Sequence, residues 1–243
     1  MIKTVFKNKN KTLFFILPLT GILLFIILVF LSALAYDGGN KLNPTASGYS
    51  FSNNYLSDLG RAKTLNGLEN NLPFYCFNGS LIILCPIFVL YFLYLPILYN
   101  ENKKTLTVAR IGSLFGVFGS ICFAGVGFTP ADLYFSPHVF FANWLYRCYC
   151  MTIIFYAAAF IFIPKKSQVF ATTFIIIGMI VAAHILLSDI GLADHFTESH
   201  RIHVLSQKAS SIALVFAVPM MVVYNRWQLG AGPVSLSIFA LKN

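Results

Sequence analysis

The chain has 243 residues, of which 58% are hydrophobic and only 10% are charged, and its formal net charge at pH 7 is +9. Soluble domains carry roughly 25% charged residues, so this composition excludes an ordinary soluble domain and indicates an integral membrane protein. In such a protein the basic charge follows from membrane topology, and we predict no nucleic-acid binding.

Six apolar segments follow one another along the chain, each long enough to cross a membrane. A hydrocarbon core about 30 Å thick requires on the order of 20 apolar residues per helix. Glycines in the third segment, among them Gly116 and Gly119, indicate close contact with neighbouring helices. The sequence therefore predicts an all-α, polytopic bundle of six transmembrane helices, forming a single membrane domain over residues 1–243 with one long outer loop. The predicted spans are 13–36, 74–98, 111–128, 138–163, 169–189 and 204–224, and the loop covers 37–73.

The distribution of lysine and arginine predicts the orientation of these spans. Cations precede the first span, separate the second from the third, follow the fourth and end the chain, whereas few lie in the other connections. The positive-inside rule therefore places both termini in the cytoplasm and the long loop outside the cell (inner) membrane. The cations assigned to the cytoplasm are Lys3, Lys7, Lys9, Lys11, Lys103, Lys104, Arg110, Lys165, Lys166, Arg226 and Lys242.

The first apolar segment has an alternative interpretation as a signal peptide, because Ala33-Leu34-Ala35 resembles a cleavage site and the segment follows a basic start. Its apolar stretch exceeds the roughly 7–15 residues of a signal-peptide core, so we expect a retained anchor.

Within the long loop, Ser57-Asp58-Leu59-Gly60 has the composition of a turn. Ser and Asp accept hydrogen bonds from nearby backbone amides, and Gly supplies a positive φ. The functional alternative is that Asp58 lies over the mouth of the bundle and binds a cation or a lipid headgroup.

Several short elements accompany this turn in a fixed order along the spans: Asn78-Gly79, then Gly125, Gly127 and Pro130 with Asp132, then His138 with Ala142. Taken together, they resemble bacterial six-span membrane proteins grouped as a domain of unknown function, which are distantly similar to the Frag1/DRAM/Sfk1 group of eukaryotic membrane proteins. The last span departs from that pattern, since Arg201-Ile202 is followed by His203 and later by Lys208. The resemblance implies a six-span fold and a lipid-associated setting, because the eukaryotic relatives are linked to lipid remodelling, lipid distribution and autophagy. It implies no catalytic residue.

All five histidines fall on the predicted outer side. His200 and His203 are three residues apart, which places them on one helix face, and His138 lies on the neighbouring outer connection. Neutral imidazoles with a carboxylate can hold zinc and acidify a bound water for hydrolysis of a lipid ester or amide. No dedicated zinc motif is present, so zinc at His138, His200 and His203 is the alternative, and we expect no cofactor.

Ionisable groups also occur inside the predicted spans, where each costs roughly 2.5 kcal/mol or more unless it is paired, hydrated or close to the interface. Arg147 lies deep in the fourth span with Asn143 one turn above it, His184 and Asp189 end the fifth, and Lys208 lies near the start of the sixth. The structural interpretation is that these groups pair with one another or with carbonyls. The functional interpretation is a polar pocket in the outer half of the bundle, in which Arg147 and Lys208 attract an anionic lipid headgroup. The candidate ligand-binding residues are Ser57, Asp58, Asn78, Asp132, His138, Asn143, Arg147, His184, Asp189 and Lys208.

Three classes of function are compatible with the sequence. The first is a non-enzymatic membrane protein that binds or organises membrane lipid, which agrees with the topology, the deep cations and the resemblance. The second is a metal-dependent lipid hydrolase that uses the histidine cluster. The third is a small transporter, although the sequence lacks paired inverted repeats with broken helices.

Overall fold

The computed structural model describes residues 11–163 and 168–229. Within these residues six helices are long and apolar enough to cross a membrane, and regular strands are absent. The prediction of an all-α bundle of six membrane helices is confirmed, and the chain is a multi-pass membrane protein. Of the cations that predicted the orientation, six lie outside the described residues: Lys3, Lys7, Lys9, Lys165, Lys166 and Lys242.

The six helices have these bounds: α1 Leu17–Leu34, α2 Asn71–Tyr94, α3 Lys103–Phe128, α4 Phe135–Ile161, α5 Gln168–His184 and α6 Ser199–Gln228. A π-helical turn, Thr12–Ile16, precedes α1, and another, Ile185–Asp189, continues α5. Short 3-10 turns cover Leu56–Gly60, Leu95–Leu98 and Leu192–His195.

Some helices begin before the apolar segment that predicted them. The α3 helix begins at Lys103, where the Asn102 side chain accepts a hydrogen bond from the Thr105 N–H at 2.9 Å. Such a cap satisfies one of the free N–H groups of a first turn. A helix therefore continues past the hydrocarbon core for as long as its end is capped or solvated, and hydropathy alone does not mark that end.

Consecutive helices pack side by side, and the ring closes between α6 and α1, where the contact is the least extensive of the helix pairs around the ring. Only Pro18, Gly21 and Ser32 of α1 are buried, so most of that helix faces outward. In contrast, α3 packs tightly between α2 and α4. A Cβ added to Gly116 would lie 2.5 Å from the Phe92 ring, and one added to Gly119 would lie 3.0 Å from the Tyr149 ring. The glycines of α3 thus permit the close approach that the sequence indicated.

The two ends of the bundle differ. One end carries the connections 35–70, 129–134 and 190–198, and we call it the loop end. At the opposite end the interior is filled by buried aromatic rings, and the Tyr99 hydroxyl lies 3.4 Å from Oδ1 of Asn225. The rings that fill this end are Tyr91, Tyr99, Tyr156, Phe160 and Tyr224.

Candidate functional site

The 3-10 turn Leu56–Gly60 lies at the loop end, and its own residue Asp58 caps it. Asp58 Oδ2 accepts hydrogen bonds from the backbone N–H of Tyr55 at 2.9 Å and from Asn54 Nδ2 at 3.2 Å. Asn54 is itself fully buried, and its Nδ2 also donates to the carbonyl of Gly39 at 2.8 Å. Asp58 therefore holds the turn in place by accepting from both of these donors, as expected for a capping carboxylate.

Gly60 ends this turn against α2. Its φ is not positive, so the glycine is not explained by backbone conformation as the sequence suggested. The reason is space, because a Cβ at Gly60 would lie 2.6 Å from both Asn78 Oδ1 and a carbon of the Phe77 ring. Asn78 Nδ2 donates to the Gly60 carbonyl at 2.9 Å, which fastens the turn to the first part of α2.

Residues 62–63, which follow the turn, are hydrogen-bonded to the connection between α3 and α4. Asp132 accepts hydrogen bonds from the backbone N–H groups of Ala62, at 3.1 Å, and Lys63, at 2.9 Å. His138, in the first turn of α4, donates from Nδ1 to the Thr129 carbonyl at 2.7 Å. Asp132 and His138, both candidate residues from the sequence, thus hold backbone segments of the loop end in place.

The first half of α6 holds the same loop from the other side. Gln207 Oε1 accepts from the Leu56 N–H at 2.8 Å, and His200 Nε2 donates to the Asn53 carbonyl, also at 2.8 Å. Lys208, which is only 3% exposed, donates from Nζ to the Asn54 carbonyl. Its ammonium also lies 5.2 Å from the centre of the Tyr49 ring, a distance at which a cation is attracted to an aromatic face.

Burial of this loop changes the acidity of its own side chains. Loss of hydration raises the pKa of the Asp58 carboxyl, and the hydrogen bond from Asn54 together with the charge of Arg61 opposes that rise. Burial also raises the pKa of Tyr55 to about 12, with the charge of Asp58 acting in the same direction.

A separate polar cluster joins α4, α5 and α6. Arg147 Nε donates to Asp189 Oδ2 at 2.6 Å, and the guanidinium carbon lies 5.2 Å from the centre of the Trp144 ring. The Asp189 side chain is 6% exposed, whereas that of Arg147 is 41% exposed. Asn143 is half-buried, and no hydrogen bond of its side chain occurs within the described residues.

Two histidines of this cluster share one serine. Ser188 Oγ lies 3.2 Å from His184 Nδ1 and 3.1 Å from His203 Nδ1. His203 Nε2 lies 2.9 Å from Asp194 Oδ1, and His184 Nδ1 lies 2.9 Å from Ser206 Oγ. The Tyr146 ring packs edge-on against the His184 ring at 4.5 Å.

The three histidines proposed as zinc ligands have different neighbours: His138 contacts Thr129, His200 contacts Asn53, and His203 contacts Ser188 and Asp194. Across residues 11–163 and 168–229, no group of three or more His, Cys, Asp or Glu residues could hold a metal ion. The zinc hypothesis stays a prediction that elemental analysis of purified protein can test.

An apolar cavity of about 130 Å³ lies inside the bundle, between the loop-end turn and the buried aromatic rings. Its lining residues on α2 run from Phe77 to Phe92, which is about 22 Å of helix at ~1.5 Å per residue. Ser57, His138 and Gln207 contribute polar side chains to its wall at the loop end. Deeper in the bundle the polar side chains of the wall are Tyr146, Ser211, Tyr149, Thr152 and Tyr91.

The polar residues chosen from the sequence therefore separate into two groups. Asp58, Asn78, Asp132 and Lys208 hold the long loop over the bundle, His138 holds the 129–134 connection, and Ser57 lines the cavity. Arg147, His184 and Asp189 belong to the cluster between α4, α5 and α6, and neither Arg147 nor Lys208 lines the cavity.

Sequence reasoning did not single out Asn54, Tyr146 or Ser206, each of which bonds or packs against a chosen residue. Only Ser206 left a local indication, because it lies three residues after His203 on the same helix face.

No protein-family model matches the chain, and neither a curated protein nor a solved structure matches it.

Proposed function

We propose that this membrane protein binds a membrane lipid, with hydrocarbon in the central cavity and the polar part of the lipid at the loop end. One observation carries this proposal: an apolar cavity runs along the bundle and ends at side chains with polar atoms that have no hydrogen-bond partner among the described residues.

The shape and chemistry of the cavity suit a hydrocarbon chain. Apolar cavities of roughly 150 Å³ stay dry and accept apolar molecules in their interior, and this cavity is about 130 Å³. One leaflet of a bilayer is about 15 Å of hydrocarbon, half of a core of ~30 Å, and the lined length of α2 exceeds that. The cavity therefore has room for a hydrocarbon segment that lies along the helices rather than across them.

The rim at the loop end is polar but uncharged. Within the described residues, the Ser57 hydroxyl, Gln207 Nε2 and His138 Nε2 have no hydrogen-bond partner, although each side chain lines the cavity. Because His138 donates from Nδ1 to Thr129, its neutral ring presents Nε2 as an acceptor. A hydroxyl, an amide donor and an imidazole acceptor match the ester and hydroxyl groups at the glycerol level of a lipid.

The seam between α1 and α6 supplies a lateral entrance. Ile22 and Phe25 of α1 and Val215 and Val218 of α6 line the cavity, and these two helices have the least extensive contact in the ring. A lipid that enters there exchanges one hydrocarbon environment for another, so its acyl chain meets no desolvation cost.

Filling the cavity tests the proposal. Ala217 lines it, so Ala217→Phe places a ring in the space for the acyl chain. Ile212 is 60% exposed on the same helix, and Ile212→Phe adds an aromatic ring to the outer surface instead. Lipid that co-purifies in mild detergent is extracted and measured per chain by mass spectrometry. We expect wild type and Ile212→Phe to retain lipid and Ala217→Phe to lose most of it. Equal lipid content in the two variants, or none in wild type, contradicts the proposal.

We also propose that the loop end faces the outside of the cell (inner) membrane, with both termini in the cytoplasm. The lysine and arginine distribution supports this orientation. In a cysteine-free background, a membrane-impermeant maleimide is expected to label Lys41→Cys in intact cells and to leave Lys103→Cys unlabelled. The reverse pattern inverts the orientation.

The resemblance to the Frag1/DRAM/Sfk1 group stays a prediction, as do the transporter and metal-dependent hydrolase alternatives.

A further inference from the structure

The polar cluster between α5 and α6 is an ordered chain of hydrogen bonds that the lipid-binding proposal does not use. It runs from Asp194 through His203 and Ser188 to His184, with separations of 2.9, 3.1 and 3.2 Å. From this geometry we infer that Ser188 is the nucleophile of an acyl-transfer site, with His203 as its general base and Asp194 as the residue that positions His203.

The direction of the hydrogen bonds follows from which groups can donate. The Ser206 hydroxyl donates to the His203 carbonyl at 3.0 Å, so its oxygen accepts from Nδ1–H of His184. The Asp194 carboxylate accepts from Nε2–H of His203, which leaves Nδ1 of the neutral ring as an acceptor. The Ser188 proton is therefore directed at His203, while Nδ1–H of His184 is shared between Ser206 and Ser188. Nucleophile, base and orienting carboxylate in this order define a catalytic triad by geometry rather than by sequence position.

The backbone around Ser188 is unusual for a helix end. Ser188 lies in the π-helical turn Ile185–Asp189, and such turns frequently occur at functional sites. The chain then reverses at Gly191, whose φ is +77°. The backbone N–H of Gly191, three residues after Ser188, has no backbone acceptor within the described residues, and we assign it as the candidate donor to a developing oxyanion.

The position of the site indicates its substrate class. Asp194 is exposed over 69% of its side chain, so water reaches the base from the loop end. Ile190 is 70% exposed and Leu192 48% exposed, which gives the same connection an apolar outer surface. A site with water on one side and apolar surface on the other suits an ester with a hydrocarbon acyl group at the membrane interface.

The reaction balances with water as the co-reactant. Ser188 Oγ forms a bond to the ester carbonyl carbon as its proton passes to Nδ1 of His203. The bond from that carbon to the alcohol oxygen breaks, and the leaving oxygen takes the proton from His203. Water then adds to the acyl carbon with its proton going to His203, the bond to Ser188 Oγ breaks, and Oγ recovers the proton. The products are a carboxylic acid and an alcohol.

A fluorophosphonate probe tests the nucleophile on the full-length protein in detergent, because it phosphonylates an activated serine with loss of fluoride. Peptide mass spectrometry is expected to find the adduct on Ser188 in wild type and to lose it in Ser188→Ala. The matched control is Ser210→Ala on α6, whose hydroxyl bonds the Ile180 carbonyl at 3.3 Å, and it is expected to label like wild type. We expect Asp194→Asn to lower the labelling rate about 100-fold or more and Asp194→Glu to restore part of it.

Absence of an adduct on Ser188 in folded wild-type protein overturns the inference, as does equal labelling of Ser188→Ala. Failure here is distinguishable from failure of the lipid-binding proposal. Ala217→Phe is expected to keep the adduct, and Ser188→Ala is expected to keep its co-purified lipid.

Discussion

Lys208 of α6 donates a hydrogen bond to the backbone carbonyl of Asn54, a residue 154 positions earlier in the chain. The bond joins the long loop to the last membrane helix across the loop end of the bundle. It explains how a lysine can be almost fully buried in an apolar bundle, since its ammonium has a carbonyl acceptor and two aromatic faces.

Removing the Lys208 ammonium is expected to loosen the loop. Lys208→Met keeps the aliphatic stem but leaves the Asn54 carbonyl without this donor, which costs about 1–3 kcal/mol of unfolding free energy. Thermal melting and limited proteolysis within residues 37–70 measure the effect. Lys41→Met, at an exposed loop position, is the control and is expected to match wild type. Equal proteolysis rates in the two variants contradict the role assigned to Lys208.

Two glycines at the loop end are expected to respond oppositely to a methyl group. Gly60→Ala drives a Cβ against Asn78 and Phe77, and overpacking of this kind costs about 1–3 kcal/mol. In Gly79→Ala the new Cβ meets nothing within 4 Å, and alanine is favoured over glycine in a helix by roughly 1 kcal/mol. The melting temperature in detergent should therefore fall for the first variant and hold or rise for the second. A fall of similar size in both refutes the steric explanation.

The ion pair of Arg147 and Asp189 is expected to stabilise the packing of α4 against α5. Arg147→Ala leaves the buried Asp189 carboxylate without its partner, and we expect a loss of about 2 kcal/mol. That is less than the ~3–5 kcal/mol of a fully buried pair, because the arginine is partly exposed. Adding Asp189→Asn to the same chain should recover part of the loss. A double-mutant cycle from denaturant unfolding measures the coupling, and additive losses show that the two residues do not interact.

Asp58 is expected to make stability depend on pH. Its pKa in the folded protein is raised above the ordinary value of 3.8, so between the two values the folded chain holds more protons than the unfolded chain. Stability contributed by this group is complete below 3.8 and falls as pH rises through that window. Asp58→Asn lacks this dependence. The melting-temperature difference between wild type and variant should move in favour of the variant from about pH 4 to about pH 7. A constant difference, or a movement toward wild type, contradicts the direction of the shift.

The sequence by itself determined the membrane class and the number of helices. Each span is a local apolar run, and a bilayer requires about 20 such residues in a helix whatever their neighbours are. The glycines of α3 also predicted close helix packing, because the absence of a side chain can be read from the sequence alone. The ends of the helices were harder to predict from the sequence. Asn102, for example, caps α3 in a polar stretch where hydropathy gives no signal.

Which polar residues meet was decided by the tertiary structure. The sequence left two interpretations open for Arg147 and Lys208, pairing with other groups or with carbonyls, and a shared anion pocket. In the structure Arg147 pairs with Asp189 and Lys208 bonds the Asn54 carbonyl. The spacing of His184 and Ser188 was visible as one helical turn, yet the approach of His203 and Asp194 required α6 to pack beside α5. Side chains on different helices meet according to rotation and register of the whole bundle. The rotation and register of the helices are set by the sum of many packing contacts, and no local sequence pattern predicts them.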